Sequence, residues 1–247
     1  MPPPLFIRKI SRKFKSVFRS VGRLLVAEQT LAHLRAIREH ELATVAALLP
    51  ARGTLLEIGA GTGWQAAALA TRGFTVSAVD LPDSKYAPDR MFPVQDYDGH
   101  TLPFRDGSFE IIYSSNLLEH IPHLAAFQEE MHRVLRPEGL AIHVLPSSAW
   151  RFWTNLTHLV RYRRRPHAHG EHATNALTEI AVFSRSQWRR IFESAGWTVT
   201  AEQTNRLFYT GSSILDARLP IRARMHLSRL LGSACNIFVL KKPPASS

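Results

Sequence analysis

"LLEIGAGTGWQ" runs from Leu55 to Gln65. Gly59, Gly61 and Gly63 stand at alternate positions, behind an apolar run that carries Glu57. Glycines spaced this way let a backbone approach a ligand closely. "TLLEI" (54–58) reads as a buried strand and 64–72 as a helix closed by Gly73. The turn therefore lies at the carboxyl end of a strand, where open parallel sheets bind nucleotide-like ligands. Spacing then discriminates. A dinucleotide loop is G-x-G-x-x-G, and its third glycine counted from Gly59 falls on Trp64, which argues against NAD. A phosphate loop needs a Lys after its last glycine, and none follows here.

Around this turn, strands and helices alternate. Further strands are predicted at 74–80, near 91–94, and at 109–115, 140–146, 197–203 and 236–242. Helices are predicted at 28–49 before Pro50, at 122–136 before Pro137 and Gly139, and at 185–195. The last has a capping-box pattern in Ser184 and Gln187, with Gly196 at its end. Seven strands alternating with helices predict an α/β fold, a mostly parallel sheet covered on both faces. Residues 147–183 are too long for an ordinary connection and read as a lid or binding loop after the fifth strand.

Two acids join Glu57. Asp80 ends the second strand in "VSAVDLPD", where a carboxylate can accept from ribose hydroxyls, and Leu81 can pack on a purine. Asp98, in "DGHTLPF", can accept from an adenine amino group. With "SFEIIYSSNLLEHI" and "VLRPEGLAI", these motifs follow in the order and spacing of class I S-adenosylmethionine-dependent methyltransferases, and the chain resembles their type 11 group. The likeness is close over about 40–146 and loose beyond. It implies a Rossmann-like seven-stranded sheet whose last strand is antiparallel, with S-adenosyl-L-methionine as cofactor. It also implies that Glu57, Gly59, Ala60, Gly61 and Gly63 hold the methionine end. Asp80 would take the ribose, Leu81 the adenine face, Asp98 and Gly99 the adenine edge, and Asn116 would lie near the reacting centre.

Methyl transfer to a hydroxyl needs a base. Two places offer one. Glu119 and His120 follow the fourth strand in "NLLEHI"; they either order that loop or act in the chemistry. Some quinone O-methyltransferases carry E-x-x-E-H there and bind a divalent metal, but Asn116 stands at the first acid, so no metal is assigned. The second place is "RPHAHGEHATN" in the insertion, with His167, His169 and His172. These are a base, a loose zinc set or a solvated loop, and His169, beside Gly170, is the candidate base. The insertion's Trp150, Phe152, Trp153, Tyr162 and Arg161, Arg163, Arg164 and Arg165 suit either a ring, sugar or lipid head group, or a cover packed on the sheet.

The 247 residues carry a net charge of +11, of which seven basic residues and no acid fall in residues 1–25. Residues 5–25 have an apolar face at helical spacing and a basic face. The expected organisation is a basic amphipathic N-terminal helix at 1–27 and a methyltransferase domain at 28–247. That helix either covers the domain or lies on an anionic membrane. Nucleic acid is disfavoured, because no RNA-binding module is visible and "SSNL" stands where an N-P-P-Y tetrad would serve base amino groups. No apolar run reaches about 18 residues and the start lacks a secretory signal, so a cytoplasmic protein, or one peripheral at the inner face of a membrane, is expected. Single Cys235 reads as a small buried hydrophobe. The expected activity is O-methylation of a small-molecule, sugar or lipid-like acceptor. The alternatives are a cofactor-binding scaffold or partner subunit, and an RNA methyltransferase.

Overall fold

The structure, a computed structural model, describes residues 26–27, 30–214 and 218–242. The expected N-terminal helix therefore lies outside the described residues, apart from Val26–Ala27. Those two are extended and pair antiparallel with Ser213–Ile214.

Seven strands form the main sheet: β1 Gly53–Ile58, β2 Phe74–Asp80, β3 Val94–Asp96, β4 Phe109–Ser115, β5 Leu135–Pro146, β6 Thr198–Thr204 and β7 Cys235–Lys241. Their order is β3-β2-β1-β4-β5-β7-β6. The pairs from β3 to β5 are parallel, and β7 runs antiparallel to both β5 and β6. The strand order reverses between β1 and β4, so the glycine turn after β1 opens at the switch point where ligands bind in such sheets.

The helices are α1 Leu31–Ala46, α2 Trp64–Ala70, α3 Leu124–Val134, α4 Ser148–Tyr162, α5 Thr178–Val182, α6 Arg185–Ser194 and α7 Ile221–Leu231. Both faces of the sheet are covered, which is why its strands read as nearly unbroken apolar runs. Leu56, Ile58, Ile112, Ala141, Phe238 and Leu240 bury one face against Phe127 and Met131 of α3 and Trp188 and Phe192 of α6. Their neighbours Leu55, Ile111, Tyr113, Ile142, Val144, Ile237 and Val239 bury the other against Ile37, Leu42 and Val45 of α1 and Trp150 of α4. The alternation is the period of two that a strand imposes. Each large apolar side chain so buried contributes about 1.5–3 kcal/mol.

Three local expectations are adjusted. β3 lies at 94–96, a little beyond the stretch near 91–94. The Ser184 hydroxyl caps α6 by accepting from the Gln187 amide, but the Gln187 side chain accepts from Arg190 instead of returning to Ser184. The insertion at 147–183 is largely helical: Ser147 caps α4 by accepting from the Trp150 amide, and α5 follows. Cys235 is buried at the start of β7, 3.0 Å from the Tyr209 hydroxyl.

Candidate active site

The turn after β1 is tied to the next strand: the amides of Gly59 and Ala60 both donate to the Val79 carbonyl, at 2.9 and 3.0 Å. Gly63 caps α2 with φ +73°, and a Cβ there would come 2.6 Å from Cβ of Phe92. Gly59 also has φ +73°, and a Cβ would meet Leu117 at 2.8 Å. Only glycine adopts this backbone without strain. Trp64, the first residue of α2, packs toward the α1 side of the sheet. Glu57 is buried beneath the turn, and its Oε2 has no hydrogen-bond partner. Burial pushes its carboxyl up to about 8, against the Ala66 amide that favours the ionised form.

Asp80 closes β2 and binds the turn. Its Oδ2 accepts from the Gly61 amide at 2.7 Å and from the Ser84 hydroxyl, and its Oδ1 accepts from the Leu81 amide. Leu81 is exposed, and a Cβ on Gly99 would stand 3.0 Å from its Cδ2. Asp98 Oδ1 accepts from the amides of His100 and Thr101, which hold its carboxyl below the usual range. Glu57, Gly59, Ala60, Gly61, Gly63, Asp80, Leu81, Asp98 and Gly99 thus gather at the carboxyl ends of β1 to β3. Asn116 stands one strand over, just after β4, with φ +51°. Its amide donates to the Val144 carbonyl.

The two candidate bases, 49 residues apart in the chain, come together. The His120 and His169 rings meet edge-on at 4.7 Å, and Trp150 lies 4.8 Å from His169. The insertion is docked on the turn after β4 by backbone. Glu171 N–H donates to the Glu119 carbonyl at 2.8 Å, and His172 Nε2 lies 3.0 Å from the Leu118 carbonyl. Gly170 fits so closely that a Cβ would sit 2.4 Å from the Glu119 carbonyl oxygen. Buried Glu179 organises this loop: it accepts from the amides of His169 and Gly170 and pairs with buried Arg151 at 2.5 Å. Arg151 in turn donates to the His167 carbonyl.

His120 and His169 each keep an exposed face, but desolvation of the packed side of each ring pushes them down, so both imidazoles are neutral at pH 7. Glu119 is wholly buried with neither carboxylate oxygen hydrogen-bonded, 3.9 Å from His120, and burial pushes it up to about 8. The ligand atoms of Glu119, His120 and His169 lie within 4.8 Å of one another. Among the described residues this is the group with metal-ligand spacing; His167, His169 and His172 do not form one.

Tyr86, Phe92, Leu117, Arg151 and Glu179 were not legible as site residues. Tyr86 covers Gly61 at 3.3 Å from a would-be Cβ, and its loop is tied down by Met91 N–H donating to the Thr62 carbonyl. One signal for Glu179 existed: it and Glu171 are the only acids among five arginines in 147–183.

The glycine turn, the orphaned Glu57 oxygen and the Asp80–Leu81–Asp98 edge stand together at the switch point of the sheet. A family described as "Methyltransferase domain" matches residues 30–202. A protein of Mycobacterium sp. (strain KMS) named as a methyltransferase is 36% identical over 159 residues, 56% of this chain and 61% of its own length. One of Mycolicibacterium paratuberculosis is 32% identical over 200 residues, 66% of this chain and 74% of its own. The chain spans as little as 41% of another such relative, from Mycobacterium sp. (strain JLS). Among solved structures, an S-adenosylmethionine-dependent methyltransferase from Mesorhizobium loti superposes with a TM-score of 0.58 at 17% identity, covering 82% of this chain and 98% of that one. One from Aquifex aeolicus gives 0.53 at 15%, covering 82% and 89%. The strand order, the switch-point turn and these likenesses agree: the chain belongs to the methyltransferase-domain family, on the fold of the S-adenosylmethionine-dependent enzymes, and that is the cofactor its site implies.

Proposed function

We propose that the chain methylates a hydroxyl oxygen of a lipid-like acceptor at an anionic membrane surface. S-adenosylmethionine supplies an electrophilic methyl on a sulfonium. Gly59, Ala60, Gly61 and Gly63 approach its methionine end through backbone, and the unpartnered Oε2 of Glu57 suits its cationic amino group. Asp80 accepts from the ribose hydroxyls. Leu81 covers the adenine, and Asp98, with Oδ1 engaged, offers Oδ2 to the adenine edge beside Gly99. Asn116 borders the reacting centre. Orientation of this kind supplies up to about 7–11 kcal/mol of a barrier.

The observation that carries the hydroxyl acceptor is the meeting of two neutral imidazoles, His120 and His169, on the turn after β4. A neutral imidazole can take the hydroxyl proton at Nε2 or Nδ1 as the oxygen attacks. The Glu179 carboxylate positions His169 through its backbone. The lipid-like character rests on α4, which exposes Phe152, Leu156, Leu159 and Val160 at helical spacing beside Arg161, Arg163, Arg164 and Arg165. An apolar stripe next to cations fits an interface of anionic lipid, and the cationic residues 5–25 would add to it. No described helix is long and apolar enough to cross a membrane.

Titration calorimetry with S-adenosylhomocysteine tests the cofactor site. Wild type binds, and Asp80→Ala loses at least tenfold in affinity; equal binding by both defeats the assignment. Labelled methyl from the cofactor, offered to a lysate fractionated into lipid, RNA, protein and small molecules, identifies the acceptor. Label in the lipid fraction that disappears with the double variant His120→Ala/His169→Ala supports the reading.

A further inference from the structure

We infer an anion site, distinct from the cofactor turn, that binds a phosphomonoester or diphosphate group. A cavity of about 600 Å³ opens at the carboxyl end of β6. Arg206, Arg222, His226 and Arg229 line it, with the hydroxyl-bearing Thr204 and Ser233, and among the described residues no acid does. Its volume suits a sugar phosphate or a lipid head group.

The basic side chains are arranged, not scattered. Arg222, His226 and Arg229 recur at i, i+4 and i+7 on α7, so they share one helix face. α7 contains no acid to offset them, and residues 204–234 hold five arginines against Asp216 alone. None of Arg206, Arg222 and Arg229 makes an ion pair among the described residues. Other arginines of this chain do: Arg133, Arg136 and Arg189 each hold a carboxylate.

Arg206 reaches the cavity from a constrained backbone. Its φ is +50°, a left-handed conformation that strains a residue with a Cβ. Both neighbours are wholly buried: Asn205 accepts from the amides of Leu207 and Cys235 and donates to Glu41, and Leu207 lies in the core. The flanks are pinned inward, which leaves the Arg206 guanidinium outward and exposed. Guanidinium forks and hydroxyls match the oxygens of phosphate.

Because β7 is antiparallel, the start of β7 and the end of β6 share the edge that holds the glycine turn. Four strand spacings separate β6 from β1, about 19 Å. The anion therefore sits apart from the reacting centre and anchors a long acceptor or a head group. The cavity adjoins the exposed helix of the insertion: Trp153 of α4 donates to the Leu231 carbonyl, and Gly232 abuts Ala149.

The test is calorimetric titration of the full chain with inorganic pyrophosphate at fixed ionic strength, for wild type and Arg222→Ala/Arg229→Ala, two exposed positions. Wild type binds, the double variant loses at least tenfold, and both bind S-adenosylhomocysteine equally. No pyrophosphate binding by wild type, or equal binding by the variant, overturns the site; failure of S-adenosylhomocysteine binding bears only on the proposed function. Sedimentation with phosphatidic acid in phosphatidylcholine vesicles separates the sources. Residues 1–25 are identical in both chains, so a loss in the double variant assigns a lipid head group. Equal sedimentation, with pyrophosphate affinity lost, assigns a soluble phosphate.

Discussion

Gly63 shows how tightly the cofactor turn is built. Its positive φ costs a residue with a Cβ about 1–2 kcal/mol, and the approach to Phe92 adds an overpacking cost of about 1–3 kcal/mol. Gly63→Ala is expected to lower the urea-unfolding free energy by about 2–5 kcal/mol and to weaken S-adenosylhomocysteine binding. An unchanged unfolding midpoint would contradict the packing. At the other end of the site, the imidazoles set a pH signature. His120 and His169 are pushed below the ordinary histidine value, so both remain bases at pH 7 and lose that role only on acidification below about 6.5. The rate kcat/KM is expected to stay level from pH 8 to 6.5 and to fall below it. A rate that halves between pH 7.5 and 6.5 would indicate an unperturbed histidine.

Two elements carry the insertion, and they respond differently to substitution. Arg151 on α4 and Glu179 on α5 form a buried pair. Removing one partner leaves the other charge buried and costs about 3–5 kcal/mol. Glu179→Ala should therefore lower stability by that order and expose 166–172 to limited proteolysis, because the amides of His169 and Gly170 lose their acceptor. Leu156 and Leu159, by contrast, face outward on α4. Leu156→Glu/Leu159→Glu should change stability by no more than about 0.5 kcal/mol per site, while sedimentation with anionic vesicles is lost. Equal sedimentation of this variant and wild type removes α4 from the membrane contact. α4 was hidden in the sequence because its aromatics and arginines also suit a binding loop; packing of Trp150 against the core and the Ser147 cap settle it as helix.

For the whole molecule, buried titratable groups pull stability in opposite directions. Glu57 and Glu119 rise from 4.5 to about 8 on folding, so their contribution is complete below pH 4.5 and is lost as pH climbs through 8. His143, buried with Nδ1 on the Ser114 hydroxyl, falls from 6.5 to about 3, so its contribution is present above 6.5 and is lost as pH falls toward 3. The two trends oppose each other between 4.5 and 6.5. Above 6.5 only the carboxyls change, and urea midpoints are expected to decline from pH 6.5 to 8.5. Glu57→Gln/Glu119→Gln should flatten that limb, since neither substituted side chain ionises.

What the chain's order determined by itself is local and periodic. The alternation of apolar strands with helices, the glycine turn with Trp64 behind it, and the strand-end acids Asp80 and Asp98 were legible because each depends on residues within a few positions of one another. Backbone geometry and side-chain period act at that range. Tertiary structure decided what depends on distant segments. It brought His169 to His120, set Glu179 beneath them, and left Arg206 on the rim of a cavity with Arg222 and Arg229. Those groupings arise from the docking of the insertion on the turn after β4 and from the antiparallel return of β7. Contacts across more than a hundred residues, such as Asn205 with Glu41, have no signature in spacing. They form because a buried carboxylate or amide must find a partner wherever the fold delivers one.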